Sequence, residues 1–139
     1  MLIFIDTSGF KAYYDENDDH HRKARLWMNS LSSKDAHSLG GFVTTDYILD
    51  ETITLLRIAH SHQKASEFID SMLGSKVLTV VYTNEEIFQE ALLLFKQRKD
   101  KVWSFTDCVS FVVMRSMGIS DSFAFDAHFG EAGFATVPS

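Results

Sequence analysis

The chain has 139 residues, 45% of them hydrophobic and 13% aromatic, which suits one compact domain over residues 1–139 with a sizeable core. A formal net charge of −6 argues against nucleic-acid binding through a bulk basic surface, although a metal site can reverse charge locally. The single cysteine, Cys108, excludes an internal disulfide, and neither a leader peptide nor an apolar run of about 18 residues is present, so the expectation is a soluble, cytoplasmic protein with no membrane span.

In chain order, "LIFI" (2–5) reads as a short buried strand and 9–14 as a brief helix. "DENDDHH" (15–21) is a polar loop. The helix "RKARLWMNSL" follows, with Ala24, Leu26, Trp27 and Leu31 as its inward stripe. "DAHSLGG" (35–41) is a loop and "FVTT" (42–45) a second strand. Thr45 caps the helix "DYILDETITLLRIA". "SHQKASEFIDSML" is the next helix, stopped by Gly74. "VLTVVY" (77–82) reads as a third buried strand, and "TNEE" (83–86) as a capping box led by Thr83. Its helix carries "IFQEALLLFKQR"; the segment "ALLLF" (91–95) suits core or a dimer interface. Thr106 caps "DCVSFVVMRSM", which Gly118 ends, and "SFAF" (122–125) and "FATV" (134–137) are terminal strands. Apolar strands alternating with helices predict a parallel sheet covered on both faces, an α/β fold.

Ligand sites in such sheets form beyond the carboxyl ends of the strands. Asp6 follows the first strand and Asp126 follows "SFAF"; a turn or a cap would account for either alone. Glu51 lies between Ile48 and Leu55 on a stripe shared with Thr52 and Ala59, where a buried carboxylate needs a cation. Its neighbour Asp50 falls on a solvated face with Asp46, Thr54 and Arg57. Asp107 opens its helix, where the dipole alone would favour it. Convergence of Asp6, Glu51, Asp107 and Asp126 would require a compensating cation, and hard oxygen ligands select Mg²⁺ or Mn²⁺. Two such ions about 3.5–4 Å apart suit phosphoryl chemistry.

The segments "LIFIDTSGF", "TTDYILDETITLL", "WSFTDCVSFVVMRSMGI" and "SFAFDAHFGEAGF" together resemble the PIN-domain family, and within it the VapC-type toxins of toxin–antitoxin pairs. The resemblance implies a three-layer α/β/α domain with a central parallel sheet of about five strands, and an Mg²⁺- or Mn²⁺-dependent endoribonuclease. It carries the acidic site onto Asp6, Glu51, Asp107 and Asp126, and water-positioning hydroxyls onto Thr7 and Thr106. It further implies an RNA substrate, a homodimer and a small antitoxin partner.

Lys11, Arg98, Lys99 and Lys101 are candidates for contacts to RNA phosphates. His20, His21, His60 and His62 have no zinc-like spacing and read as loop and helix-end residues. Cys108, without a placed histidine, reads as a small core residue, and most aromatic residues read as core. Two other functions fit the same fold: a non-catalytic module binding RNA or protein, and a metal-dependent phosphohydrolase acting on DNA or nucleotides.

Overall fold

The computed structural model describes residues 1–31 and 40–139; most of the loop expected over 35–41 lies outside them. Five parallel strands form the sheet: β1 (Leu2–Ile5), β2 (Gly41–Thr45), β3 (Leu78–Val81), β4 (Asp121–Phe123) and β5 (Ala135–Val137). Their spatial order is β3-β2-β1-β4-β5. The chain thus runs outward from β1 to β3, crosses back, and continues to β5. Among the described residues the helices are α1 (Thr7–Tyr14), α2 (His21–Ser30), α3 (Asp46–Ala59), α4 (His62–Gly74), α5 (Glu85–Gln97), α6 (Phe105–Met117) and α7 (His128–Glu131). The connections from β1 to β3 carry α1–α4 and those from β3 through β4 to β5 carry α5–α7. With the right-handed crossover that parallel strands require, the two groups fall on opposite faces, which makes the three layers.

The sheet reverses its direction of growth beside β1, whose partners are β2 on one side and β4 on the other. That reversal opens a crevice at the carboxyl ends of β1 and β4. Phe4, Val43 and Phe123 are fully buried in the strands. They pack with Phe68 of α4, Phe111 and Met114 of α6, and Phe129 of α7. The Thr44 hydroxyl donates to the Ile5 carbonyl at 2.9 Å, so a buried polar group fastens the end of β1.

Several local expectations change. The β3 strand is not buried as expected. It forms an edge, with Thr79 exposed and Tyr82 just beyond it exposed as well. Leu26 of α2 faces solvent, and Ala24 is the buried residue of that helix. The α5 cap is Asn84, whose side chain accepts from the Ile87 amide at 2.9 Å. Thr83 is drawn away by Asp46, which accepts from both its amide (3.0 Å) and its hydroxyl (2.7 Å). Asp46 is therefore not simply solvated. Likewise Thr106 does not cap α6; Ser104 does, in a reciprocal capping box with Asp107. The caps at Thr45 and Gly118 stand as expected, the latter with φ of 67° in the left-handed region that glycine tolerates.

Candidate active site

The first strand ends on Asp6 because Asp6 caps α1. Its Oδ2 accepts from the Ser8 amide at 3.1 Å and from the Ser8 hydroxyl at 2.6 Å. That hydroxyl in turn accepts the Phe125 amide at 3.0 Å. The Asp6 amide donates to the Phe123 carbonyl at 3.2 Å. These bonds tie the end of β1 to the end of β4, and with it the turn that carries Asp126. Gly9 lets α1 lie against β4: a Cβ there would fall 2.3 Å from the Phe123 carbonyl oxygen and 2.7 Å from its ring. The run of two hydroxyls and a glycine after Asp6 is therefore a clamp between the two central strands.

Asp107 enters from α6. Its Oδ2 accepts the Ser104 amide at 3.0 Å and meets His128 Nδ1 at 2.8 Å. With Nδ1 protonated, His128 donates to this oxygen. Asp126 Oδ1 accepts the His128 amide at 3.1 Å. The protein's hydrogen bonds gather on one oxygen of each carboxylate, which leaves the other oxygen of Asp6, Asp107 and Asp126 without a hydrogen bond among the described residues. One ligand atom from each of Asp107, Asp126 and His128 lies within 4.8 Å of the others. Asp6 and Asp107 are nearly buried, at 3% and 6% exposure.

Asp6, Asp107 and Asp126 line one open cavity of about 290 Å³, together with Thr7, Ser8, Lys11, His20 and Glu51. The structure thus places all four expected carboxylates on one cleft, but not for one reason. Glu51 is exposed, and the buried row of α3 is Ile48, Leu49, Thr52 and Leu56. The expected stripe through Leu55 and Ala59 is out of phase with the core, and Ala59 is exposed. Glu51 reaches the site as a solvated residue of its wall. Thr106 stands outside this cavity, in a neighbouring one that it shares with Asp50 and Glu51. Lys11 lines the cleft, yet its ammonium is held by Asp18 at 2.8 Å and Asp15 at 3.3 Å.

Burial pushes the Asp6 carboxyl up to about 8, with the negative charge of Asp126 as the next cause and that of Asp107 a smaller one; the Ser8 hydrogen bonds pull the other way. Among the described residues, no Lys or Arg pairs with Asp6, Asp107 or Asp126. The Thr7 hydroxyl is buried on the same cleft with no hydrogen-bond partner. A set of hard oxygen donors, uncompensated and partly desolvated, beside an orphaned hydroxyl fits a divalent cation.

Sequence reasoning missed Ser8, Ser104 and His128. Ser104 had a signal, since Ser-x-x-Asp is a capping-box spacing. His128 had none, because its partner Asp107 is 21 residues away. His20, expected to be a plain loop residue, lines the cleft with its ring stacked on Phe125 at 4.8 Å and 14°.

The family model for the PIN domain matches residues 3–135. A VapC ribonuclease from Archaeoglobus fulgidus is 34% identical over 119 residues, covering 84% of this chain and 72% of that protein. The 23S rRNA-specific endonuclease VapC20 of Mycobacterium tuberculosis is 33% identical over 137 residues, covering 98% of both chains. The crystal structure of M. tuberculosis VapC20, described as a sarcin-ricin loop cleaving toxin, superposes with a TM-score of 0.86 at 30% identity, covering 96% of each chain. VapBC2 from Rickettsia felis, bound to a DNA fragment from their promoter, shares the fold at a TM-score of 0.65 and 11% identity, covering 98% of this chain and 97% of that one. A family model matched along nearly the whole sequence, and relatives one-third identical over most of it, show that the chain belongs to the PIN-domain family.

Proposed function

We propose that the protein is a divalent-metal-dependent endoribonuclease, a single nuclease domain over residues 1–139 that acts as the toxin of a toxin–antitoxin pair in the cytoplasm. The observation that carries this reading is the convergence of Asp6, Asp107 and Asp126 with no Lys or Arg among the described residues to neutralise them. The relatives named as ribonucleases support RNA as the substrate. No helix among the described residues is long and apolar enough to cross a membrane.

Asp6, Asp107 and Asp126 would hold the cation, Mg²⁺ or Mn²⁺ by the hardness of its ligands, with Glu51 on the wall of the same cleft to help bind it or orient water. A divalent cation supplies easier deprotonation of water and neutralisation of charge at the phosphate. The remaining work belongs to the chain. Ser8 and the Asp6 amide fix Asp6 against the Asp126 turn. Ser104 and His128 hold Asp107 by one oxygen and leave the other without a hydrogen bond among the described residues. Thr7 offers its hydroxyl to water or a phosphate oxygen, and His20 on Phe125 gives the rim a flat aromatic wall that a base can stack on. Thr106, one cavity away, would act only on groups beyond Glu51.

The segment 91–95 divides between the two expectations: Ala91 and Leu94 pack in the core, while Leu92 and Leu93 are exposed, which supports a homodimer contact there.

The test is cleavage of RNA by the purified protein with Mg²⁺ or Mn²⁺. Cleavage that stops on chelation is expected; a metal-independent or absent activity refutes the reading. Parallel assays on single-stranded DNA, flap DNA and mononucleotides separate the phosphohydrolase alternative. His128→Ala is expected to weaken Mn²⁺ binding by about 10–100-fold, the usual effect of losing a group that orients a metal ligand. Calorimetric titration with Mn²⁺ measures this, and an unchanged affinity would show that the His128–Asp107 contact does not position the site.

A further inference from the structure

The acidic cleft has a basic counterpart that meets the same turn of α6. Asp107 lines the cleft, while Cys108, the next residue of α6, lines a second cavity of about 340 Å³. Its other walls are Phe95, Lys96, Arg98, Lys99, Lys101 and Trp103. On a chain of net charge −6, this places four cationic side chains within six consecutive residues. Arg98 is committed: it makes a two-point contact with Asp100 at 3.0 and 3.2 Å and lies 4.9 Å over the Trp103 ring. Trp103 is itself fixed, its indole N–H donating to Glu131 of α7 at 3.0 Å. The floor of the pocket is therefore rigid and tied to the element that carries His128. Lys96, Lys99 and Lys101 make no salt bridge among the described residues.

A helix dipole explains a basic residue in the last turn, and Lys96 sits there. It does not explain Lys99 or Lys101, which lie past the end of α5 and turn back toward the start of α6. Three unpaired ammonium groups around a cavity suit a ligand with repeating negative charge. Phe95, half exposed at the rim, offers an apolar surface to a sugar or base.

We propose that this pocket binds the sugar–phosphate backbone of the RNA strand adjacent to the phosphate in the acidic cleft. The inference rests on the ribonuclease reading and adds a second contact region to it. Asp107 and Cys108 are consecutive in α6, so the helix that carries the cleft's carboxylate also walls the pocket, and a strand that crosses from one to the other brings further phosphates to the lysines. The cleft repels the polyanion until a cation is bound, and the pocket supplies attraction that does not depend on that cation.

The test compares the wild type with Lys96→Gln/Lys99→Gln/Lys101→Gln and with a Lys23→Gln/Lys76→Gln control. Binding of a short labelled single-stranded RNA is followed by anisotropy in chelator across a salt series. Cleavage with Mg²⁺ is followed on RNA and on bis(p-nitrophenyl) phosphate, which is too small to span both cavities. The triple variant is expected to bind RNA about 10–100-fold more weakly, with a salt slope smaller by about 2, since each phosphate contact on a single strand contributes about 0.7. Its hydrolysis of the small diester stays at the wild-type rate, which also shows that it folds. Unchanged RNA affinity and slope, or an equal loss in the control, overturns the proposal, whether or not binding to an acidic polypeptide such as polyglutamate falls. Failure of the wild type to cleave RNA refutes the nuclease reading instead, while the salt slope still judges the pocket.

Discussion

Asp6→Asn is expected to abolish RNA cleavage while making the metal-free protein more stable at pH 8. Asparagine keeps an oxygen for the Ser8 amide and hydroxyl, so the cap of α1 survives. What it removes is a buried carboxyl that burial and the charges of Asp126 and Asp107 push up to about 8. The sign follows from proton binding. Between the ordinary value of 3.8 and about 8, the folded protein keeps a proton on Asp6 that the unfolded chain has released. Stability falls with rising pH wherever the folded state binds more protons. The wild type therefore loses stability through this window as pH rises, and the variant does not lose that part. Each tenfold difference in proton affinity between the folded and unfolded chain corresponds to about 1.4 kcal/mol, so the variant gains several kcal/mol over the wild type at pH 8 without metal. Saturating Mn²⁺ reverses the order, because the wild type binds the cation and the variant does not. Cleavage should fall by more than the roughly 10–100-fold that follows loss of a group merely orienting a ligand. Thermal unfolding of both proteins from about pH 4 to pH 8, in chelator and in Mn²⁺, measures the crossover. A variant less stable than the wild type at pH 8 in chelator would show that Asp6 is an ordinary structural carboxylate. It would also favour the non-catalytic alternative if metal then had no effect on either protein.

Gly9→Ala is expected to destabilise the protein by about 3 kcal/mol or more and to remove activity with it. Two effects oppose each other. Alanine is the better helix former by about 1 kcal/mol. Its Cβ, however, would stand 2.3 Å from the carbonyl oxygen of Phe123, a backbone atom that cannot rotate away. Overpacking against side chains alone costs about 1–3 kcal/mol, and here the strand must move. That carbonyl also accepts the Asp6 amide, so displacing it separates Asp6 from the Asp126 turn. Urea unfolding followed by circular dichroism, with Mn²⁺ titration of the folded fraction, reads both consequences. A midpoint within error of the wild type would mean that α1 does not approach β4 this closely.

What was legible in the sequence follows from how local its cause is. The strands and most helices declare themselves through apolar runs and through caps at Thr45 and Gly118, all set within a few residues. Cap errors arise where a distant partner intervenes: Asp46 claims Thr83, which leaves Asn84 to cap α5. At α6 the hydroxyl adjacent to Asp107, that of Thr106, looks like the cap, but Ser104 and Asp107 hold the box spacing. Glu51 shows a right position reached by a wrong argument. The stripe through Leu55 and Ala59 is out of phase with the buried face of α3, and Glu51 meets the cleft from the solvent side. His128 was beyond reach because its contact with Asp107 spans 21 residues. Ser8 has a local contact with Asp6 two residues away, and only its bond with the Phe125 amide, 117 residues on, depends on the order of the strands.

Everything turns on a divalent cation sitting among carboxylates brought in from both ends of the chain. An anomalous difference map from a crystal soaked in Mn²⁺ would locate it. The main peak is expected within ligand distance of Asp6, Asp107 and Asp126. A main peak at the other cluster that could hold a metal, Asp15, Glu16 and His60, with none in the cleft, would contradict the nuclease site.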